Sequence, residues 1–261
     1  MPSPDETLRA VGMAEFCGGK GFNQAVACAR LGAITELVGC VGHDGSANLL
    51  IASLDRNKVG HTHVSVVEAH TGTALITTDQ RDVTIVIVPG ANAAVSVATA
   101  NAAREVLESV DVLLLQGEVS HPAAARAAEL VRRAGGKVVF SPAPVHEESP
   151  LVLPYASYVV ANRGEAATLG LSAGPTTVIT IGKDGAMIDD DIVPVYPATV
   201  IDPTGAGDAF TAAFAIAIAE GATPIEAVRF GCAAGSWAVR IAGAEPSMPT
   251  RDQVFSVMRG A

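Results

Sequence analysis

Short apolar runs alternate along this chain with longer amphipathic segments, and the alternation predicts the order of its secondary structure. The apolar runs have the length of buried strands, and the segments between them have the spacing of helices. Strands are predicted at 37–41, 111–116, 137–141, 158–161 and 177–181, and helices at 47–58 and 122–134. Because buried strands alternate with helices, we expect a parallel sheet that carries helices on both faces.

The pattern changes in the C-terminal third of the chain, where helices dominate. After a turn at 202–207, helices are predicted at Asp208–Glu220, Pro224–Ile241 and Arg251–Arg259. A threonine precedes the second and the third of these helices, and threonine is a favoured capping residue at a helix N-terminus.

A third pattern consists of two β-branched runs that lie close together. Thr73–Thr78 and Val83–Val88 are joined by the four polar residues 79–82. Two such runs with a short polar connection predict an antiparallel hairpin and not a strand–helix–strand unit. We therefore expect one α/β domain that carries a small β lid.

The composition excludes several classes of protein. Hydrophobic residues make up 49% of the 261 residues, which provides a sizeable core and excludes general disorder. The formal net charge of −10 leaves no basic footprint for nucleic acid. The most apolar run, Ala209–Ala219, is shorter than the roughly 20 residues that span a bilayer, and the first ten residues are polar. We expect a cytoplasmic protein that does not bind membranes and whose four cysteines are reduced.

The strongest candidate for chemistry is a turn of small residues at the start of the most apolar predicted helix. Gly205, Ala206 and Gly207 directly precede Asp208. Unpaired N–H groups and the helix dipole favour an anion at such a helix start. A carboxylate beside this anion hole can accept a proton from a hydroxyl that attacks a phosphoryl group. The residues alone predict equally well an ordinary helix start with an aspartate in its first turn.

A second glycine-rich turn, Gly18–Gly21, leads into another predicted helix. Its spacing differs from that of a Walker A loop. The side-chain amide of Asn23 can both donate and accept hydrogen bonds, which suits sugar hydroxyls. A turn of this kind is by itself weak evidence of a binding site.

Together, the two turns resemble the signature segments of the ribokinase-like (PfkB) carbohydrate kinase family. The first segment reads GGKGFNQAVACARLGA and the second reads DPTGAGDAF. Six further segments resemble family motifs and occur in the same order as in the family. They are VGCVGHD at 38–44, PGAN at 89–92, QGE at 116–118, NRGE at 162–165, TIGKDG at 180–185 and GAEPS at 243–247. The resemblance covers nearly the whole chain.

The resemblance implies a fold and an assembly. The fold is an α/β/α sandwich around a parallel sheet, with a small β lid formed by 1–16 and 66–92. The core that binds nucleotide and sugar comprises 17–65 and 93–261. We expect a homodimer through the lid, because its strands are apolar on both faces and need cover.

The resemblance also implies an ATP-dependent sugar kinase and assigns roles by position. Asp208 matches the base that deprotonates the primary hydroxyl of the sugar, and 205–207 match the anion hole. The positions that match sugar-binding residues of the family are Gly19, Lys20, Asn23 and Glu118.

Other motif positions concern the nucleotide and the ions. Asn162 and Glu165 match a motif linked to Mg²⁺ and phosphate organisation. The positions that match the nucleotide side are Thr180, Gly182, Gly185 and Gly207. The positions that match a loop for a monovalent cation, expected to be K⁺, are Asp202, Thr204, Ala238, Ile241, Gly243 and Ser247.

The chain departs from the family pattern in three places. No G-x-x-N-x-D strand precedes the first glycine-rich turn, so we expect the first strand and one sugar ligand to be missing. Either the recorded start lies downstream of the true start, or the chain is a shortened relative. The interval between Glu165 and Thr177 is too short for the usual helix and strand, and 171–175 is predicted to be a loop. Cys232 stands where ribokinases often carry an Asn or a His near the adenine.

The predicted function is the transfer of the ATP γ-phosphate to the primary hydroxyl of a pentose, with Mg²⁺ and K⁺ as ions. The PGAN and GAEPS segments favour D-ribose as the pentose and ribose 5-phosphate as the product. Two alternatives stay open. One is a kinase for another sugar or for a nucleoside, and the other is a weakly active or inactive relative that binds sugar or nucleotide.

Overall fold

A layer of strands lies between two layers of helices in the computed structural model, which describes residue 7 and residues 9–78 and 83–260. The strands are β1 (Glu36–Val41), β2 (Gly60–Val66), β3 (Thr73–Thr78), β4 (Val83–Val88), β5 (Val112–Leu115), β6 (Lys137–Phe140), β7 (Tyr158–Asn162), β8 (Thr177–Thr180), β9 (Ala186–Ile188) and β10 (Asp191–Val193). The helices are α1 (Lys20–Arg30), α2 (Gly45–Arg56), α3 (Val97–Ala102), α4 (Arg104–Leu107), α5 (His121–Arg133), α6 (Arg163–Leu169), α7 (Ala206–Ala219), α8 (Pro224–Ala238), α9 (Ala244–Ser247) and α10 (Arg251–Arg259).

The main sheet has six strands in the order β10-β9-β8-β7-β6-β5. Strands β5 to β8 run parallel, whereas β9 and β10 are antiparallel at one edge. Strands β1 and β2 pair in parallel as a separate sheet of two, so the single continuous sheet expected from the sequence is divided. The mostly parallel α/β architecture that the sequence predicts is confirmed.

Both faces of the main sheet are buried, because successive side chains of a strand point to opposite faces. On one face, Val139, Val160 and Val178 pack with residues of α1, α7, α8 and α10. On the other face, Val138 and Phe140 pack with residues of α3, α4 and α5. This double burial explains why the strands are continuous apolar runs in the sequence.

Helix α7 lies deepest in the molecule. It packs against α1, α8, β5 and β6, and all of its residues from Asp208 to Ile218 are buried. A helix that is covered on all sides has no polar face, which explains why this segment is the most apolar of the chain. Among the helices of the described ranges, none is both long and apolar enough to cross a membrane.

The hairpin of β3 and β4 has the strand bounds expected from the sequence, and its two strands pair antiparallel as a sheet of their own. The predicted connection 79–82 lies outside the described residues. The described residues of 1–16, which are residue 7 and 9–16, form no strand with the hairpin. The division into lid and core therefore stays a prediction.

The segment around Glu165 differs from the expectation. The interval was predicted to be too short for the usual helix and strand. Helix α6, which begins at Arg163, contradicts this for the helix, whereas no strand lies between α6 and β8 in the described structure. Gly170 ends the helix in the left-handed conformation, with φ of 64°. Residues 171–173 carry no helix or strand, in agreement with the predicted loop. No strand precedes α1 in the described part of the chain.

Candidate active site

The predicted sugar-binding residues meet where β5 ends and α1 begins. The carboxylate of Glu118, just after β5, accepts a hydrogen bond from the backbone N–H of Lys20 at 2.8 Å. Gly19 lies beside it, because a methyl group on Gly19 would be 3.7 Å from the same Glu118 oxygen. Burial raises the pKa of Glu118, and Asp208 adds to this effect, whereas the N–H and the charge of Lys20 oppose it. Gly19, Lys20 and Glu118 therefore form one cluster.

Asp208 lies in the first turn of α7, facing α1. Its side chain is almost completely buried, with 8% of the residue exposed. The amide of Asn23 donates to one carboxylate oxygen at 2.8 Å, and the amide of Gln24 donates to the other at 3.0 Å. Burial raises the pKa of Asp208, and the charge of Lys20 and the two amide hydrogen bonds lower it only in part. The carboxylate is thus held in a defined orientation in a nearly dry environment.

Asn23 presents an acceptor to this site that is not used by the protein. The residue is 5% exposed, and its Oδ1 atom has no hydrogen-bond partner among the described residues. A buried acceptor without a partner costs about 1–3 kcal/mol, so such atoms are usually satisfied by a ligand or by water. A hydroxyl that donates to Asn23 would lie next to the Asp208 carboxylate.

The turn before α7 leaves an open helix start. Gly205 has φ of +82°, and a methyl group there would lie 2.7 Å from the Met248 side chain and 3.1 Å from the Cα of Ala244. No side chain in the described part of the chain caps α7. The N–H groups of Gly207 and Asp208 belong to the first turn, which has no acceptors within the helix, and the dipole is positive there. Among the described residues, a methyl group on Gly207 would meet nothing within 4 Å, so the side of the helix at Gly207 is open.

The predicted nucleotide positions other than Gly207 lie at or just after the carboxyl ends of β7 and β8. Asn162 and Thr180 are register partners on these neighbouring strands. The Asn162 side chain accepts from the N–H of Glu165 at 2.9 Å, and the Glu165 carboxylate accepts from the N–H and the amide of Asn162 at 2.8 and 2.7 Å. These two residues therefore cap α6 in the described structure.

The glycines after β8 have conformations that other residues rarely adopt. Gly182 and Gly185 have φ of +63° and +105°. A methyl group on Gly185 would lie within 2.9 Å of three backbone atoms of Val193 and Pro194. The turn between β8 and β9 thus requires glycine for a structural reason, in addition to its predicted place near the nucleotide.

Asp202 joins the two segments of the predicted cation loop. One of its carboxylate oxygens accepts from the N–H of Thr204 at 2.9 Å, and the other accepts from the N–H of Gly243 at 2.8 Å. Burial tends to raise the pKa of Asp202, but these hydrogen bonds outweigh it and leave the pKa below the ordinary value. The loop therefore contains an ionised carboxylate.

The other residues of this predicted loop offer oxygen atoms as possible cation ligands. The hydroxyl of Ser247 is buried and donates to the carbonyl of Ala244 at 2.8 Å. The carbonyl of Ala238 accepts from the N–H of Ile241 at 3.2 Å. Carbonyl, hydroxyl and carboxylate oxygens are the ligands that hard cations prefer, so the residues present fit a monovalent cation.

Comparison with known proteins identifies the family. Residues 2–251 match the family described as pfkB family carbohydrate kinase. The chain belongs to this family. It is 35% identical to the ribokinase of Bacillus subtilis (strain 168), over 98% of this chain and 92% of the relative. The ribokinase of Thermotoga maritima is 31% identical with a TM-score of 0.86, over 99% of this chain and 93% of that structure. The ribokinase of Arabidopsis thaliana, solved with ribose and ATP, is 30% identical with the same TM-score and the same coverage.

Membership in the pfkB family makes the chain a sugar kinase, a phosphotransferase that acts on an alcohol group. In the structure, the predicted sugar-binding residues and the predicted base Asp208 meet through the hydrogen bond between Asn23 and Asp208. The cation loop adjoins the same helix start through Gly205 and Ala244. Among the described residues, no hydrogen bond joins Asn162 or Glu165 to this network.

Two residues of this pfkB kinase site were not predicted from the sequence. Gln24 donates to Asp208, and Gln116 donates to Gln24 at 2.6 Å. Like Asn23, Gln24 is a polar residue in the mostly apolar buried part of α1, Phe22–Cys28, and this is a signal that the sequence contains. Gln116 follows a buried strand directly, which is a weaker signal.

Proposed function

We propose that this kinase transfers the γ-phosphate of ATP to the primary hydroxyl of a pentose, with D-ribose as the substrate and ribose 5-phosphate as the product. The observation that carries the proposal is the buried Asp208 carboxylate at the open start of α7, beside the unpartnered Oδ1 of Asn23. The similarity to the Arabidopsis thaliana ribokinase, whose structure contains ribose and ATP, supports the choice of substrates.

In the proposed reaction Asp208 is the general base. It accepts the hydroxyl proton as the sugar oxygen bonds to the γ-phosphorus and the bond from the γ-phosphorus to the β–γ bridging oxygen breaks, which releases ADP. An ionised carboxylate has about four lone-pair positions, so the hydrogen bonds from Asn23 and Gln24 leave two for the substrate. Burial keeps water away from this proton transfer.

The neighbouring groups recognise the substrates in this proposal. Asn23 Oδ1 and the Glu118 carboxylate accept hydrogen bonds from sugar hydroxyls, and the charge of Lys20 lies close to both acidic groups. The N–H groups at the start of α7, at Gly207 and Asp208, stabilise the negative charge of the phosphoryl group in transfer.

Mg²⁺ and K⁺ complete the proposal. In the described part of the chain, His, Cys, Asp and Glu side chains form no group of three or more that could hold a metal ion. Mg²⁺ commonly keeps water ligands and binds substrate phosphates with one or two carboxylates, which agrees with a small protein contribution such as Glu165. K⁺ would bind the oxygen donors around Asp202. We expect faster turnover in KCl than in NaCl, and equal rates in the two salts would contradict the K⁺ site.

A coupled assay for ADP release, with ribose and ATP, tests the proposed function. We expect Asp208→Asn to lower kcat by about 10²- to 10⁴-fold, because a general base contributes about that factor. Asp252→Asn is the matched control, since Asp252 also lies in the first turn of a helix but is exposed. Equal rates for wild type and Asp208→Asn would remove Asp208 from the mechanism.

Identification of the product tests the substrate. Phosphorus NMR of the product is expected to show a phosphate ester at the primary carbon of ribose. A panel of other pentoses, hexoses and nucleosides serves as the comparison. A higher kcat/KM for one of these would replace ribose as the substrate but would leave the phosphoryl transfer in place.

The homodimer is proposed on the apolar surface of the hairpin. Leu75, Ile76, Ile85 and Val86 are each about half exposed. A surface of this kind needs a partner, and a second copy of the hairpin is self-complementary. Light scattering is expected to show a dimer at micromolar concentration, and Val86→Lys to shift it to monomer. Leu151→Lys, at an equally exposed apolar residue elsewhere, is the control. A monomeric wild type would contradict the proposal.

A weakly active or inactive binding protein is the second candidate. The observation in its favour is that no strand precedes α1 in the described part of the chain, where the family pattern carries a further sugar ligand. Thermal shifts with ribose and ATP, without any release of ADP, would support this candidate. Turnover with ribose would exclude it.

A further inference from the structure

Two glutamines form a hydrogen-bonded chain that ends on Asp208. The Gln116 amide donates to the Gln24 carbonyl oxygen at 2.6 Å, and the Gln24 amide donates to Asp208 at 3.0 Å. Gln24 is buried, with 2% exposed, and Gln116 is half-buried. The three residues come from α1, the end of β5 and α7, so the chain joins three elements that are distant in sequence.

The donor-to-acceptor direction of this hydrogen-bonded chain is fixed by the Asp208 carboxylate at its end. An ionised carboxylate only accepts hydrogen bonds, so Gln24 must turn its N–H group towards Asp208. The oxygen of Gln24 then faces Gln116, which must donate. A protonated Asp208 that needs an acceptor would meet the N–H group of Gln24, and an acceptor could be supplied there only if Gln24 and Gln116 both turned over. The chain is therefore matched to the ionised form of Asp208.

From this geometry we infer that Gln24 and Gln116 are positioning residues that hold the Asp208 carboxylate in one orientation. The inference rests on the proposed role of Asp208 as the base. Asn23 holds the second oxygen of Asp208 but also faces the sugar position, whereas Gln24 is fully engaged within the protein. The orientation of the base would thus stay fixed while Asn23 exchanges partners with the substrate.

A glycine in α1 makes room for this chain. A methyl group on Gly21 would lie 3.2 Å from the Oε1 atom of Gln116, which is closer than ordinary van der Waals contact. Gly21→Ala is therefore expected to displace the Gln116 amide without changing any polar group of the site. Gly21→Ala is thus a third variant, and it disturbs the hydrogen bonds of Gln116 and Gln24 although Gly21 takes no part in them.

The charged groups that face Asp208 come from two directions. Lys20 on α1 lowers the pKa of Asp208 and so favours its ionised form. Glu118, after β5, is the acidic group close by, and its own pKa is raised in part by the charge of Asp208. Burial raises the pKa of Asp208, and the Gln24 amide counteracts part of that rise. Loss of the amide is therefore expected to raise the pKa further and to move the acid limb of the kcat–pH profile to higher pH.

The experiment compares Gln24→Met, Gln116→Met and the double variant, in which methionine keeps the length of the side chain without its polar group. We expect Gln24→Met to lower kcat roughly 10- to 100-fold and Gln116→Met about threefold, with the KM for ATP unchanged. The double variant is expected to match Gln24→Met alone, because Gln116 acts through Gln24. Gln253→Met, in the first turn of α10, is the control for the same substitution.

A titration of the ligand-free protein tests the inference without catalysis. The ¹³C carboxyl signal of Asp208, assigned by its absence in Asp208→Asn, is expected to titrate at higher pH in Gln24→Met and in Gln116→Met than in the wild type. If Gln24→Met does not fold, the half-buried Gln116→Met and Gly21→Ala carry the test. Unchanged titration and kcat in the folded variants, or additive losses in the double variant, would overturn the inference. Absence of sugar phosphorylation by the wild type would instead refute the proposed function.

Discussion

Arg30, at the end of α1, joins this helix by hydrogen bonds to α9 and to Met248, the residue after it. Its guanidinium donates to the side-chain oxygen of Asn57 at 2.7 Å and to the carbonyls of Glu245 and Met248 at 2.9 and 2.8 Å. The carboxylate of Glu245 lies 3.6 Å from the same group. A planar guanidinium with several fixed donors suits this arrangement better than the single ammonium of lysine would.

The cost of removing this side chain follows from its partners. Arg30→Met keeps much of the aliphatic packing but removes the guanidinium from the Met248 carbonyl and the Asn57 oxygen. The Glu245 carbonyl keeps a bond from the N–H of Met248, and the Glu245 carboxylate keeps one from the Asn57 amide, both at 3.2 Å. The Arg30 side chain is 24% exposed and that of Glu245 is 15% exposed, so solvent replaces the lost bonds only in part. Hydrogen bonds from a charged group contribute about 1.5–3 kcal/mol each and are not additive, and we expect a loss of about 2–4 kcal/mol.

Urea unfolding and thermal unfolding measure this loss. For a chain of this length, it corresponds to a decrease of roughly 5–10 °C in Tm. Arg133→Met is the control, because the Arg133 side chain is 72% exposed and, among the residues that the structure describes, forms an ion pair with Glu129 alone. The loss in this variant is expected to stay within about 0.5 kcal/mol. Equal losses in Arg30→Met and Arg133→Met would refute the reasoning. Arg30→Lys is expected to lie between wild type and Arg30→Met.

Three further predictions concern the turn before α7, an acidic helix cap and a buried thiol. Gly205→Ala is expected to lower both Tm and kcat. In Gly207→Ala the added methyl group meets no neighbouring atom among the described residues, so this variant is expected to keep its Tm and to lose activity. Equal Tm values for the two variants would contradict this. Hydrogen bonds from Thr71 hold the pKa of Asp44 at about 2, so the free energy of unfolding is expected to fall as pH decreases from about 4 towards 2. Urea unfolding at about pH 4 and about pH 2 measures this fall, which should be smaller in Asp44→Asn than in the wild type. Burial raises the pKa of the Cys28 thiol to about 12, so mass spectrometry is expected to find it unmodified by iodoacetamide near pH 8 in the native protein and modified in urea.

The main strands could be predicted from the sequence because they are buried on both faces. Strands β5 to β8 agree with their predicted bounds to within one residue at each end, and the hairpin strands agree completely. The helix of the C-terminal third that begins at Pro224 ends at Ala238 and not at Ile241. The starts of this helix and of the helix at Arg251 were marked by a preceding threonine. The hydroxyl of Thr250 accepts from the N–H of Gln253, and the N–H of Thr250 donates to the Gln253 side chain.

Other elements were missed because they carry no local pattern. β9 and β10 have three residues each, which is too short for any periodicity. β2 contains two histidines and lies in a sheet of two strands, so its apolar content is low. Helix α6 was discounted because the interval after Glu165 is short, but the helix begins before this residue and is stabilised by the capping pair with Asn162. The division of the sheet depends on contacts between distant segments, which local patterns do not encode.

At the candidate site, contacts between distant segments can be recognised in the sequence as polar residues within apolar, buried stretches. Asn23 and Gln24 lie in a stretch of α1 that is otherwise apolar and buried, and two buried amides there would be costly without partners. Asp208 supplies both partners from 185 and 184 residues away. The carboxylate is equally dependent on the amides, since burial alone would favour its protonated form. Neither helix is therefore suited to its position without the other, and polar residues that interrupt two apolar helices indicate that the helices meet at a functional site.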